Sequence, residues 1–111
     1  MAFNSTFTAQ DQEPTAEQIQ AMPGDLLLEF GAPWCGHCQA AQPWLAAAMQ
    51  QHPALPHIKI EDGKGRRLGR GFTVKLWPTL ILLRDGAEVA RLVRPDSADA
   101  ISQLLTGAHR A

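Results

Sequence analysis

Apolar residues recur along the chain in spacings that predict alternating helices and strands. Residues 1 to 13 are polar and weakly patterned. After Pro14, Thr15 stands where it can cap a helix, and Gln18 occupies the reciprocal position of a capping box. A short helix is expected from there to about Met22. Pro23-Gly24-Asp25 breaks it, and Leu26-Leu27-Leu28-Glu29-Phe30 is a near-continuous apolar run, as in a strand covered on both faces. Glu29 is the one acid within that run.

Gly31-Ala32-Pro33 leads into Trp34-Cys35-Gly36-His37-Cys38, and residues 36 to 51 are rich in Ala and Gln, both good helix formers. A long helix should therefore begin at the cysteines. Pro43 lies inside it and predicts a kink or a break, because it cannot donate the backbone hydrogen bond at that position. Pro53 and Pro56 end the segment, and Ile58-Lys59-Ile60 is a short strand. Residues 61 to 72 form a basic stretch punctuated by glycines, with Leu68 and Phe72 one helical turn apart. Thr79 to Leu83 is a second buried strand. Asp85-Gly86 is a hairpin turn into residues 88 to 93, whose alternation predicts a half-exposed antiparallel strand. Pro95-Asp96-Ser97 opens a last helix with Ile101, Leu104 and Leu105 on one face. The order predicts an α/β architecture: a central mixed β-sheet, parallel in its first part, with helices on both faces. An edge strand around Ser5 to Ala9 would bring four strands to five.

With 111 residues, 45% of them hydrophobic and 19% charged, the chain is expected to form one domain over residues 1–111, with 1–13 as a polar N-terminal segment. Its net charge of −1 supplies no global field for nucleic acid or an anionic membrane, so neither is an expected partner. No apolar run approaches bilayer-spanning length, and Met1 to Thr6 lacks the basic and apolar regions of a signal peptide. A cytoplasmic monomer is the expectation, although a chain from which a leader had been removed would read the same.

Cys35 and Cys38 are the only cysteines, and a bridge between them would add little chain-entropy stabilisation. That favours chemistry over scaffolding. At the first turn of a helix, the Cys35 sulfur would face unpaired N–H groups and the positive end of the helix dipole, which favour a thiolate. His37 adds a second donor or cation beside it, and Gly36 completes the motif that tunes the sulfur. Cys38, one turn on and pointing inward, would resolve a mixed disulfide formed at Cys35. Metal and packing roles for the pair are the other readings. Zinc wants four ligands, and the sequence offers no second Cys-x-x-Cys or His-x-x-x-His, so no metal is expected. No organic cofactor is expected either.

Residues 28 to 38, Leu-Glu-Phe-Gly-Ala-Pro-Trp-Cys-Gly-His-Cys, resemble the active-site segment of the thioredoxin family, in the form found in the catalytic domains of protein disulfide isomerase. Pro43 falls where that family kinks its active-site helix, Val74 to Leu80 resembles its cis-proline segment, and Asp85-Gly86 matches the following hairpin. The resemblance covers nearly the whole chain. It implies a thioredoxin fold, an exposed dithiol at a helix N-terminus, a cis peptide before Pro78, and thiol-disulfide exchange with protein substrates. Glu29 would lie beneath the site as the base for Cys38, and Lys59 would tune that acid. Trp34 and Trp77-Pro78 would flank Cys35 as a shallow apolar platform, with the Trp77 backbone available to an extended substrate, while Trp44 packs in the core.

Departures from the family pattern are Trp77, bulkier than usual, Leu76 and Thr73 where glycines are common, and Arg94 in place of a glycine. Expected partners are protein disulfides or dithiols and a thiol donor such as a thioredoxin reductase. Alternatives from other classes are a redox-inert module binding a peptide beside Trp77-Pro78, and a thiol sensor. Lys64, Arg66, Arg67 and Arg70 fit no phosphate-loop spacing and read as solvated surface, as do His52, His57 and His109.

Overall fold

Thr15 accepts a hydrogen bond from the Gln18 N–H while the Gln18 side chain accepts from the Thr15 N–H, and this capping box opens helix α1, Ala16–Gln20. The computed structural model describes residues 3–107. A 3-10 turn over Gln10–Gln12 precedes α1. There follow β1 (Asp25–Gly31), α2 (Gly36–Met49), β2 (His57–Glu61), α3 (Arg67–Gly71), β3 (Thr79–Arg84), β4 (Ala87–Val93) and α4 (Ala98–Thr106). Helix α2 runs unbroken through Pro43. The last helix is capped by Ser97, whose Oγ accepts from the Ala100 N–H at 3.1 Å.

The sheet order is β2-β1-β3-β4. β1 and β2 pair in parallel with Glu29 opposite Lys59; β1–β3 and β3–β4 are antiparallel. The result is a mixed four-stranded sheet flanked by helices, the architecture expected from the order of elements. Successive side chains of a strand point to opposite faces, so β1 feeds two cores. Leu27 joins Leu45, Met49, Leu80, Leu82, Ile101 and Leu105 beneath α2 and α4, and Trp44 packs against this cluster. Leu26, Leu28 and Phe30 join Ile19, Ile60, Ile81 and Leu83 on the other face, against Leu68 and Phe72. Each such fully buried aliphatic or aromatic side chain contributes roughly 1.5–3 kcal/mol. Glu29 shares the face of Leu27, which directs its carboxylate under α2.

At the β3–β4 hairpin, Asp85 and Gly86 take φ values of +50° and +82°. A Cβ on Gly86 would run into the backbone of Gln20. The Asp85 Oδ1 accepts from the Gly24 N–H at 2.7 Å, fastening the turn to the loop before β1.

The edge strand expected around Ser5 to Ala9 does not form. Of its N–H groups only that of Thr8 bonds to the β2 backbone, at 2.8 Å from the Lys59 carbonyl. The neighbouring backbone groups go to side chains instead: the Asn4 N–H donates to His57 Nδ1 and the Ser5 carbonyl accepts from Lys59 Nζ. The segment therefore lies along the open edge of β2 as irregular backbone.

Candidate active site

Both cysteines sit where the end of β1 turns into α2. Cys35 is the N-cap of α2, with φ −77° and ψ 118°, and its Sγ accepts from the Cys38 N–H at 3.2 Å. This is the position a Ser or Asp side-chain oxygen takes at other helix starts. Both thiols are free. Gly36, the first residue of α2, has open space where a Cβ would lie, so packing does not require glycine there. His37 is exposed beside it.

The expectation of an exposed dithiol needs correction. Cys35 keeps only 7% of its surface accessible and Cys38 3%, because Ala32 and Trp77 pack against them. Cys35 nonetheless opens onto a cleft of about 370 Å³ lined by Trp34, His37, Lys75, Trp77 and Arg94 among others. Cys38 faces inward, its sulfur seated against Gly31, where a Cβ would come within 2.6 Å of Sγ. Burial is the main reason its thiol is pushed up to about 12; the hydrogen bond with Cys35 and, more weakly, the nearby charge of Glu29 act in the same direction.

Beneath the dithiol lies a buried polar cluster. Glu29 is 1% exposed. Its Oε2 accepts from Gln42 Nε2 at 2.8 Å, and its Oε1 is 2.9 Å from His57 Nε2. Gln42 Nε2 also donates to the Cys38 carbonyl at 3.1 Å, while its Oε1 accepts from Lys59 Nζ at 2.8 Å. The Lys59 ammonium stands 3.9 Å from Glu29 and 4.7 Å over the ring of Phe7. Because the Asn4 N–H donates to His57 Nδ1 at 2.8 Å, the ring proton resides on Nε2 and points at Glu29. Among the described residues no buried side-chain polar atom lacks a partner.

This cluster overturns the surface reading of two histidines, since His57 and His52 are both buried; His109 lies outside the described residues. Lys59, expected beside Glu29, is buried as well. Gln42 and His57 carried no motif, but each had a periodic signal. Gln42 is four residues after Cys38 on α2, and His57 is two residues before Lys59 on β2, so each shares a face with its neighbour.

Above the dithiol, the peptide before Pro78 is cis. Trp34 is 72% exposed and meets Trp77 edge to face, with ring centroids 5.4 Å apart. Trp77 Nε1 donates to Asp62 Oδ2 at 2.9 Å. Asp62 in turn packs so tightly on Gly69 that any Cβ there would collide with its carboxylate. The expected apolar platform carries charge, because Lys75 and Arg94 line the same cleft. The Trp77 backbone is not wholly available either: its carbonyl accepts from Arg94 Nε at 2.9 Å. A larger cavity, about 470 Å³, lies at the N-terminal end of β1 and holds neither cysteine. Among the described residues, no His, Cys, Asp and Glu side chains converge as a group that could hold a metal ion, and no helix is long and apolar enough to cross a membrane.

The family described as Thioredoxin matches residues 6–107. The chain is similar to thioredoxin from Chlamydia trachomatis serovar D, 34% identical over 95 residues that cover 86% of this chain and 91% of that one. It is also 38% identical to protein disulfide-isomerase A3 of Gallus gallus over 80 residues, 71% of this chain but 16% of that much longer relative. Among solved structures, thioredoxin 2 from Pseudomonas aeruginosa PAO1 in its reduced form is 48% identical, covers 96% of each chain, and superposes with a TM-score of 0.84.

Proposed function

The chain belongs to the thioredoxin family, and from that membership we propose that it exchanges disulfides with protein substrates through the Cys35/Cys38 dithiol. It is a thiol-disulfide oxidoreductase in its general reaction. The observation that carries the finer reading is the contrast between its sulfurs. Cys35 Sγ holds a backbone N–H at 3.2 Å and borders a cleft, whereas the Cys38 thiol is buried and pushed up to about 12.

That contrast divides the work. The Cys35 thiolate attacks one sulfur of a substrate disulfide, forming a mixed disulfide as the substrate's own S–S bond breaks. The departing substrate thiolate takes a proton from solvent. Cys38 cannot follow while protonated, so its proton passes to Glu29, directly or through water. The Cys38 thiolate then attacks Cys35 Sγ. The mixed disulfide breaks, a Cys35–Cys38 disulfide forms, and the second substrate thiolate leaves and is protonated. The substrate has gained two electrons and two protons in total, and a thiol donor such as a thioredoxin reductase returns the protein to the dithiol.

Lys59, Gln42 and His57 hold Glu29 in place for the transfer. His37 and Gly36 border Cys35 at the first turn of α2, where a donor on the sulfur stabilises the reduced form and makes the site more oxidising. Trp34, Trp77 and Pro78 form the wall against which an extended substrate lies. Residues 1–111 act in this reading as one domain and a monomer. In the cytoplasm, the compartment we propose, electrons flow from the dithiol to substrate.

Reduction of insulin by the protein with a thiol donor tests the assignment. Activity lost in Cys35→Ser, and stable mixed disulfides accumulated by Cys38→Ser, are the expected results. Undiminished activity in Cys35→Ser would overturn it.

A further inference from the structure

We propose that the cleft beside Cys35 selects disulfide substrates whose cysteine is flanked by acidic residues, with Arg94 and Lys75 as the side chains that set this preference. The inference rests on Cys35 being the attacking thiol, as argued above. The charged or titratable groups bordering the cleft besides Cys35 are His37, Lys75 and Arg94, and no carboxylate lines it. A second depression of about 370 Å³ shares Lys75 and Trp77 with the first and adds Lys64, Arg66 and Arg70. Its one acid, Asp62, is engaged by the Trp77 indole. Arg66 is paired with Glu13 and Glu61; Lys64, Arg70 and Lys75 have no acidic partner among the described residues. A chain of net charge −1 thus places Lys75 and Arg94 at the cleft of its candidate nucleophile, with Lys64 and Arg70 in the depression beside it.

Arg94 is held for this role by its backbone and by one arm of its guanidinium. Its φ is +49°, a conformation that side-chain-bearing residues rarely take. Its N–H donates to the Pro78 carbonyl at 2.9 Å, and its Nε donates to the Trp77 carbonyl at 2.9 Å. The terminal Nη groups bond to no described residue and keep their fork for a carboxylate, which arginine can grip through two parallel hydrogen bonds. An extended peptide lying on Trp77 with a cysteine over Cys35 would carry its flanking side chains past Arg94 on one side and Lys75 on the other. Acidic flanks would be drawn in and basic flanks repelled. The thiol at the cleft requires the occupant to bear a disulfide, which favours a peptide or protein over other polyanions.

Each exposed charge pair in such a site changes affinity by roughly 1.5- to fivefold, so two or three together predict a spread of about tenfold between acidic and basic substrates. The experiment measures second-order rates of reduction, by the full-length dithiol protein, of three peptide disulfides of equal length whose cysteine is flanked by Glu, Gln or Lys, at low and at high salt. The expected order is Glu over Gln over Lys, with the Glu/Lys ratio near tenfold at low salt and about threefold or less at high salt. In Arg94→Gln with Lys75→Gln the ratio should fall toward unity, and in Arg94→Lys it should stay partly intact. Equal rates in the wild-type protein, or a preference that survives both high salt and the double substitution, would overturn the charge selection while leaving the exchange chemistry standing. Failure to reduce any of the three peptides would overturn the exchange chemistry and this inference with it.

Discussion

His57 Nε2 lies 2.9 Å from Glu29 Oε1, and both side chains are buried, at 0% and 1% exposure. With Nδ1 occupied by the Asn4 N–H, the imidazole can approach this carboxylate only as a donor. His57→Leu would strand one oxygen of a buried acid and should cost about 2–3 kcal/mol in urea unfolding. His57→Gln, whose amide can still donate, should recover part of that. A loss under about 0.5 kcal/mol in the leucine variant would mean water replaces the ring without penalty.

Glu29→Gln keeps the shape of the side chain and removes the base. Resolution of a mixed disulfide at Cys35 should slow by roughly ten- to a hundredfold at neutral pH, while the initial attack by Cys35 changes far less. Stopped-flow measurement of the two phases separates them, and equal slowing of both would argue against a specific role toward Cys38.

The Cys38 thiol, raised from its ordinary 9.0 to about 12 chiefly by burial, keeps its proton in the folded state under conditions where the unfolded chain has lost it. Folding then retains a proton that unfolding releases, so stability falls with rising pH. Its contribution is intact below pH 9 and is lost progressively between about 9 and 12. Reduced protein should therefore lose stability over that window, and Cys38→Ala should flatten this part of the profile. At neutral pH, iodoacetamide should label Cys35 and spare Cys38, which peptide mapping by mass spectrometry can check.

Thr73, a β-branched residue, is exposed and takes φ +59° with its N–H on the Arg70 carbonyl at 3.0 Å. Relief of left-handed strain is worth roughly 1–3 kcal/mol, against about 0.5–1 kcal/mol for the greater freedom of glycine in the unfolded chain. Thr73→Gly should raise stability by about 1 kcal/mol, seen as a higher thermal midpoint.

At Gly31, a Cβ would stand 2.6 Å from Cys38 Sγ in a tightly packed site. Gly31→Ala should destabilise the reduced protein by about 1–3 kcal/mol and slow the resolving step, since the sulfur must shift to make room. Unchanged kinetics of disulfide release would show that Cys38 has another place to go.

Much of the local architecture was legible from residues a few positions apart. The Thr15–Gln18 capping box, the Ser97 cap, the Asp85-Gly86 turn and the apolar runs of β1 and β3 each depend on short-range stereochemistry, which the chain states directly. The cysteine spacing placed both thiols in the first turn of α2 for the same reason. In place of the edge strand, the Ser5 carbonyl takes the Lys59 side chain and the Thr6 N–H takes that of Asn4, a competition that residues 5 to 9 do not record. Trp34 and Trp77-Pro78 read as an apolar platform, but the side chain of Arg94 folds back onto the Trp77 carbonyl.

The sequence by itself determined the order of elements, the helix starts and turns, and a dithiol at a helix N-terminus, because these follow from propensity, capping and periodicity within one or two turns of chain. Only the tertiary structure decided that Glu29 meets His57 and Gln42, that Cys35 is nearly covered, and that positive charge gathers at its cleft. Those contacts join residues far apart in the chain: Glu29 and His57 are separated by 28 positions, and Ser5 and Lys59 of the same cluster by 54. They exist because parallel pairing of β1 with β2 and the packing of α2 across them bring distant polar groups into one space without water, where each must find a partner or bear the full cost of desolvation.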